Sequence, residues 1–466
     1  MKFVLALSFA NLCFLELWDG VATKSARSFT GVLIAVVATA LVIWAALPLA
    51  RRWPVLRWIG VAALLLPLNL FRIHALHLHR QDLPKVLWLI AGLLIGFALI
   101  RWRAQITRLP EIVAIIFVPL LPIQVGYAFW RVSHIPFAVD WVPLPPAPLV
   151  QTPPNPQRVL WIIFDELDQQ VVFEYRPASL ALPEFDRLRS ESFYADHVLP
   201  SAMNTQRAIP ALTGLRFSGI GPPSVFDQAR VAGFNSAILG SELPYCVLNM
   251  ISSVASCFAI PSATEEIAAR RPTMLERAWH AITSRFSRRP LFDAETRREA
   301  RAAEAVAFDE MRRRAIELAT DTRYQLVYMH FPVPHLLGIW DRRENKYSTD
   351  DRASYLDNVA LADRTLGEIR AALERANLWN DTVVLVTSDH PLRDQTIEAA
   401  KWWNDPETAS IKAERKYVPF LLKLAGPYEL HASFQAIRTG ELINAILNRR
   451  VTTTQQVEAL LTPAQK

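Results

Sequence analysis

The chain has 466 residues, 52% of them hydrophobic and 20% charged, with a mean hydropathy of +0.16. That hydropathy and that length exclude an ordinary single-domain soluble protein, as well as disordered and fibrous classes, and call for a membrane part beside a separate folded part. The net charge of +6 is unevenly held: residues 1–135 carry 13 of the 50 Lys/Arg and 4 of the 44 Asp/Glu, a net of +9, which leaves residues 136–466 at −3.

The basic character therefore belongs to the apolar half, where flanking cations orient membrane helices, and no basic stripe remains in the folded half to follow a phosphate backbone. Nucleic acid is excluded as a partner on that ground. About 20 apolar residues cross a bilayer core, and five stretches qualify or nearly so: Phe3–Trp18, Phe29–Ala50, Val55–Ile73, Val86–Ile100 and Ile112–Trp130. The first has Lys2 ahead of it, like a signal peptide, but it contains Glu16 and lacks a small-x-small cleavage site before Asp19, so it is read as retained. With a cytoplasmic N-terminus, seven cations fall inside (Lys2, Arg51, Arg52, Arg57, Arg101, Arg103, Arg108) against five outside (Lys24, Arg27, Arg80, Lys85, Arg131). Five crossings then place the folded half on the extracytoplasmic face of a bacterial-type inner (plasma) membrane. Residues 1–135 are thus expected to be a transmembrane domain of about five helices.

Residues 136–157 hold prolines at 136, 143, 145, 146, 148, 153, 154 and 156, a density that favours an extended, semi-rigid spacer. Residues 158–466 are expected to be the catalytic domain. Its run Arg158–Phe164 (RVLWIIF) is continuously apolar and ends in Asp165-Glu166, as a buried parallel strand does. Asn204 or Thr205 would cap a helix over Gln206–Leu212, at an end that favours anions. Cys246 and Cys257, 11 residues apart, would pair outside the cytosol; two unrelated buried thiols are the alternative. Ala268–Ala307 reads as a surface helical insertion, and helical periodicity continues over Ala302–Ala319. Gln325–Met329 is a second strand, followed by His330; Tyr355–Ala376 is a helix; Thr382–Thr387 is a third strand, ending in Ser388-Asp389-His390. Strands alternating with amphipathic helices specify an α/β domain with a central, mostly parallel sheet flanked by helices, and ligands bind such sheets beyond the carboxyl ends of the strands.

The carboxylates of Asp165 and Asp389 with the imidazole of His390 form a donor set for Zn²⁺ or Mn²⁺. Asp is also a common turn cap and a lone His a common core residue, so each alone has a purely structural reading. Thr205 beside such a cation would lose its proton more readily and attack phosphorus or sulfur; capping is its structural reading.

In order along the chain, VLWIIFDE at 159–166, LPEFDRLRSESF at 182–193, TQRAIPALTG at 205–214 and the block from Tyr355 to His390 resemble the alkaline-phosphatase superfamily in its sulfatase-like branch. The membrane anchor ahead of the domain is similar to that of phosphoethanolamine transferases and lipoteichoic acid synthases. The resemblance implies Asp165 as the first metal ligand with Glu166 as a second acid, Thr205 as nucleophile and metal-side residue five positions before Pro210, and Asp389 with His390 as the C-terminal ligand pair. It also implies His335 on the substrate side, with His330 structural. Two departures stand out. Pro391 replaces the glycine of the usual SDHG, and no histidine follows His390 before Lys416. Arg393 and Lys416 are left to meet an anionic substrate, and a single divalent ion (Zn, Mn, Mg or Ca) is favoured over two.

No Cys begins the C/S-x-P-x-R pattern of formylglycine sulfatases, and threonine cannot form that aldehyde. The sequence therefore favours a membrane-anchored phospho-group transferase that takes its group from a membrane lipid and passes it to a glycan or lipid acceptor. A phosphodiesterase or sulfatase-like hydrolase is the enzymatic alternative, and a degenerate, non-catalytic binding module the alternative of another class.

Overall fold

A computed structural model describes residues 2–14, 26–64, 101–134, 145–215, 222–243, 245–247, 252–260, 294–335, 337–393 and 416–462. The chain divides into two compact units, one made chiefly of residues 1–137 and one holding the remainder apart from 271–288.

In the first unit, α1 (Lys2–Cys13) packs on α2 (Ala26–Arg52) through small residues, Ala10 against Ala35, Val36 and Ala40. Small side chains let helix backbones approach where no water drives them together. Ser8 Oγ donates to the Ala114 carbonyl at 2.8 Å, and Asn11 Nδ2 to Gln124 Oε1 at 2.5 Å. Outward-facing positions are apolar: Val42, Ile123 and Phe129 are each more than 60% exposed. Among the described residues, one helix, over Phe29–Leu49, is long and apolar enough to cross a membrane, and the bent pair Leu109–Ile116 and Leu120–Trp130 gives a second if counted as one span. Within the first apolar stretch the described residues form the 12-residue α1, and residues 15–18 lie outside the described residues. The third is helical over α3 (Pro54–Ala63); its remainder and the whole of the fourth lie outside the described residues.

The second unit is built on a nine-stranded sheet of order β10-β2-β9-β8-β1-β5-β3-β4, with β11 beside β2. The strands are β1 (Arg158–Asp165), β2 (Phe193–Leu199), β3 (Ser236–Ser241), β4 (Ser256–Ile260), β5 (Leu326–Pro334), β8 (Thr382–Thr387), β9 (Val418–Lys423), β10 (Tyr428–Leu430) and β11 (Phe434–Gln435). All pairings are parallel except those of β9 with β2 and β8. The separate short pair β6 (Trp340–Asp341) and β7 (Lys346–Tyr347) is antiparallel.

Alternate residues of β1 feed two cores, as the period of two requires. Leu160, Ile162 and Phe164 join one face and Val159, Trp161 and Ile163 the other. The first face is covered by Phe185 and Leu188 of α7 (Pro183–Glu191), by Phe308, Met311 and Ala315 of α10 (Ala294–Thr320), and by the apolar stripe of α11 (Tyr355–Arg375). The second is covered by Ile209 and Leu212 of α8 (Thr205–Thr213), Phe226 of α9 (Val225–Val231), Leu442 and Ile446 of α12 (Thr439–Leu447), and Val457 of α13 (Thr454–Leu461). This is the α/β architecture expected from the alternation of strands and helices.

One reading needs correction. Residues 294–307 are not part of a surface insertion: they form the first half of α10, with Ala300, Arg301 and Ala305 buried and Arg297 and Arg301 both paired with Asp351. Residues 268–293 lie outside the described residues. The proline-rich stretch is tied down where it is described, with Ala147 N–H donating to the Val254 carbonyl and Val150 exchanging two bonds with the Asn235 side chain. Its extended backbone leaves donors and acceptors free for such pairing.

Candidate active site

Asp165 ends β1, Thr205 opens α8, and Asp389-His390 follow β8, so neighbouring parallel strands and one helix N-terminus deliver four side chains to the carboxyl edge of the sheet. Asn204 caps α8, its Oδ1 accepting Arg207 N–H at 3.0 Å, which leaves the Thr205 hydroxyl free of capping duty. Thr205 Oγ1 lies 3.4 Å from both Asp165 oxygens and 3.3 Å from His390 Nε2. The capping reading is thereby assigned to Asn204.

Asp165, Asp389 and His390 are at most 1% exposed and offer ligand atoms within 4.8 Å of one another. His390 Nδ1 faces the Pro391 carbonyl at 3.1 Å, and a carbonyl only accepts, so Nδ1 carries the hydrogen and the Nε2 lone pair points into the group. A main-chain carbonyl, which any residue at position 391 would supply, thus fixes the imidazole tautomer. Burial, then the Asp389 and Glu166 carboxylates, push the Asp165 carboxyl well above its ordinary pKa. Burial also opposes ionisation of Asp389, but His390, His330, the Thr205 hydroxyl and the Glu166 N–H together hold it below the usual value. Asp389 Oδ2 is buried without a hydrogen bond. Two crowded carboxylates, one with an unsatisfied oxygen, and an inward imidazole lone pair are a donor set that a divalent cation completes.

Glu166 stands apart from that group. It is fully buried in a left-handed backbone conformation (φ 62°), and its carboxylate accepts from Arg393 Nε at 2.5 Å. Its N–H donates to Asp389 Oδ1 at 3.2 Å. Arg393 Nη2 donates to His335 Nε2 at 3.1 Å, so that nitrogen is unprotonated, in keeping with the burial that lowers the His335 pKa. His335 N–H donates to the Asp165 carbonyl at 3.1 Å. Glu166, His335 and Arg393 therefore form a second cluster against the first. Lys416 is exposed, and its N–H donates to Gln170 Oε1 at 3.3 Å.

Cys246 and Cys257 are joined in a disulfide, with Cα atoms 5.6 Å apart. Beside it, Tyr245 is buried, and its hydroxyl meets His330 Nδ1 at 2.8 Å. Burial drives the His330 pKa down to about 4. The sequence reading missed Tyr245, Tyr355 and Asp168. Of these only Asp168 left a signal, as the third acid of the DELD run after β1.

A mostly parallel sheet covered on both faces, with acids, an imidazole and a helix-borne hydroxyl gathered at its carboxyl edge, makes an α/β domain whose edge offers a donor set that could hold a divalent cation. Residues 216–434 match the family described as Type I phosphodiesterase / nucleotide pyrophosphatase, a span that includes Asp389 and His390 but begins after Asp165 and Thr205. Similar solved structures include a protein of the alkaline phosphatase superfamily from Vibrio parahaemolyticus (14% identity, 65% of this chain and 68% of that one, TM-score 0.40). Others are the phosphonate monoester hydrolase of Agrobacterium radiobacter (14%, 63% and 74%, 0.38) and murine ectonucleotide pyrophosphatase / phosphodiesterase 5 (13%, 66% and 100%, 0.39). No curated protein sequence matches the chain.

Proposed function

We propose that this chain is a membrane-anchored phospho-group transferase that uses Thr205 as nucleophile on a lipid-borne phosphodiester. The observation that carries the reading is the Thr205 hydroxyl at 3.3–3.4 Å from Asp165 and His390, on the first residue of a helix. The helix N-terminus stabilises an anion at that position. Asp165, Asp389 and His390 would hold one divalent ion, which when bound supplies Lewis acidity to the hydroxyl and to the phosphoryl oxygens.

Thr205 Oγ forms a bond to phosphorus as the P–O bond to the diacylglycerol breaks; the proton lost by Thr205 is gained by the departing alcohol. An acceptor hydroxyl, of a glycan or a lipid, then attacks the phosphothreonine, and Thr205 Oγ leaves and recovers a proton. Arg393, fixed by Glu166 and His335 and 28% exposed at its side chain, contacts the non-reacting phosphoryl oxygens. In this reading residues 1–135 span the membrane and 158–466 work on its extracytoplasmic side. The Cys246–Cys257 disulfide supports an oxidising compartment.

The full-length protein, incubated with Mn²⁺ or Zn²⁺ and phospholipid labelled in its headgroup phosphate, is expected to show a mass increase on the tryptic peptide bearing Thr205. Thr205→Ala abolishes the adduct, and prior treatment with EDTA suppresses it until metal is restored. An adduct of equal yield on Thr205→Ala rejects the nucleophile. A second reading, the same first step with water as acceptor, is favoured by the similarity of residues 216–434 to the phosphodiesterase / nucleotide pyrophosphatase family. Release of the headgroup phosphate without a glycan or lipid acceptor selects it.

A further inference from the structure

The proposed metal site takes one ligand from the loop after β1 and two from the loop after β8, so its geometry depends on how far apart those loops stand. The β1–β8 ladder ends at the pair Ile163 and Thr387, before any of the three ligands. Beyond it the loops are joined by reciprocal hydrogen bonds to carboxylates. Glu166 N–H donates to Asp389 Oδ1 at 3.2 Å, and Leu392 N–H donates to Asp168 Oδ2 at 3.2 Å. The first bond uses a carboxylate that would also face the cation. The second does not.

Asp168 is fully buried, and its other oxygen accepts from Gln170 and Val171 N–H at 2.9 and 3.1 Å. One side chain thus closes the turn after β1 and reaches across to the β8 loop. Its own N–H donates to the Tyr355 hydroxyl at 3.2 Å, and that hydroxyl donates to the Glu166 carbonyl at 2.7 Å. Tyr355 opens α11, which is anchored by the capping box of Ser354 and Asp357. The left-handed turn at Glu166, between Asp165 and Asp168, is therefore held by a rigid helix start through Tyr355.

The geometry points to Asp168 as a positioning residue that sets the spacing of the two metal-bearing loops, with Tyr355 as its brace. This rests on the metal site read from Asp165, Asp389 and His390. Asp168→Asn is selective: its carbonyl oxygen still accepts from residues 170 and 171, but its NH₂ group faces the Leu392 N–H, donor to donor. Partners that orient metal ligands typically change affinity by about 10–100-fold when lost.

Titration of the detergent-solubilised full-length protein with Mn²⁺ and Zn²⁺ alone tests this. Asp168→Asn is expected to bind at least about ten-fold more weakly than wild type, and amide exchange at Leu392 in the metal-free protein is expected to accelerate. Tyr355→Phe, which keeps the aromatic packing, is expected to weaken binding by a smaller factor. Asp227→Asn, in the capping box of α9, serves as a control for general loss of stability and is expected to bind within two-fold of wild type. Should Asp168→Asn misfold, Tyr355→Phe carries the decision. Folded Asp168→Asn or Tyr355→Phe protein with wild-type affinity and unchanged Leu392 exchange overturns the inference while leaving the metal site standing. Wild-type protein that binds neither ion overturns both.

Discussion

At the scale of single residues the domain separates groups that must react from groups that must stay neutral, and His330 is of the second kind. It lies at register with Ile163 in the middle of the sheet, fully buried, with Nδ1 held by the Tyr245 hydroxyl and within 3.2 Å of the Ser241 carbonyl. Its pKa of about 4 in the folded protein lies below the ordinary 6.5. Between those values the unfolded chain binds a proton that the folded chain does not, so stability from this group is complete above about 6.5 and is lost as pH falls toward 4, by about 3 kcal/mol at most. Thermal unfolding in detergent is expected to show an apparent Tm that falls between pH 7 and pH 4.5, with a shallower fall in His330→Gln. An equal fall in both would mean that other groups carry the acid sensitivity. Buried Arg158 acts differently: its guanidinium donates to the carbonyls of Leu318 and Asp321 at the end of α10, and burial lowers its pKa to about 10, still well above neutrality. The cation there offsets the exposed carbonyl ends of a 27-residue helix.

At the scale of elements, the disulfide joins the short helical turn Tyr245–Val247 to β4 and so presses the Tyr245 ring against β3. A Cβ on Gly240 would fall 2.2 Å from that ring, so β3 needs glycine at that point for Tyr245 to reach His330. Gly240→Ala is expected to cost about 1–3 kcal/mol through overpacking. The Cys246→Ser/Cys257→Ser pair is expected to cost about 3 kcal/mol, from the closure of an 11-residue loop. Comparison of urea midpoints under non-reducing and reducing conditions checks the second figure: dithiothreitol should lower the wild-type midpoint and leave the double serine variant unmoved. These elements also show what was legible in the sequence. β1, the start of β5, and β8 were readable because strands buried on both faces are apolar at every position, and α11 because its stripe runs for 21 residues. β2 and the short β10 and β11 were not, since FYADHVL mixes faces and edge strands carry little apolar signal; β9 (VPFLLK) has an apolar run like that of β8, and the sequence reading missed it. Asp165, Thr205, Asp389 and His390 were legible as strand-end and helix-start residues. Asp168 showed only as the third acid of the DELD run and Tyr355 not at all, because their partners lie 224 and 187 residues away, a distance at which one sequence carries no pairing information.

At the scale of the whole molecule, charge governs the topology of the apolar half. Among the described residues one helix, over Phe29–Leu49, is long enough to cross by itself, and the described part of the first apolar stretch is the 12-residue α1. The cation bias on which a cytoplasmic N-terminus would rest is seven against five, a margin of two, and orientation follows Lys/Arg counts in short loops. The disulfide is the independent witness, since thiols in the cytosol stay reduced. If the folded unit is extracytoplasmic, the Cys246–Cys257 bond forms in intact cells, and protein trapped with N-ethylmaleimide before lysis should carry label on Cys13 at most. Protease added to spheroplasts should then digest residues 158–466, whereas inside-out vesicles should protect them. The two assays fail differently. Protection in spheroplasts with free thiols would put the folded unit in the cytosol and remove the lipid headgroups of the outer face from the substrate's reach. Digestion in spheroplasts with free thiols would keep the topology and leave Tyr245, and through it His330, held by packing alone. Moving two of the five outer cations inward, as in Arg80→Gln/Lys85→Gln with two lysines added beside Arg103, should strengthen the protease pattern if the topology is right. If the N-terminus is outside, the same change should weaken it.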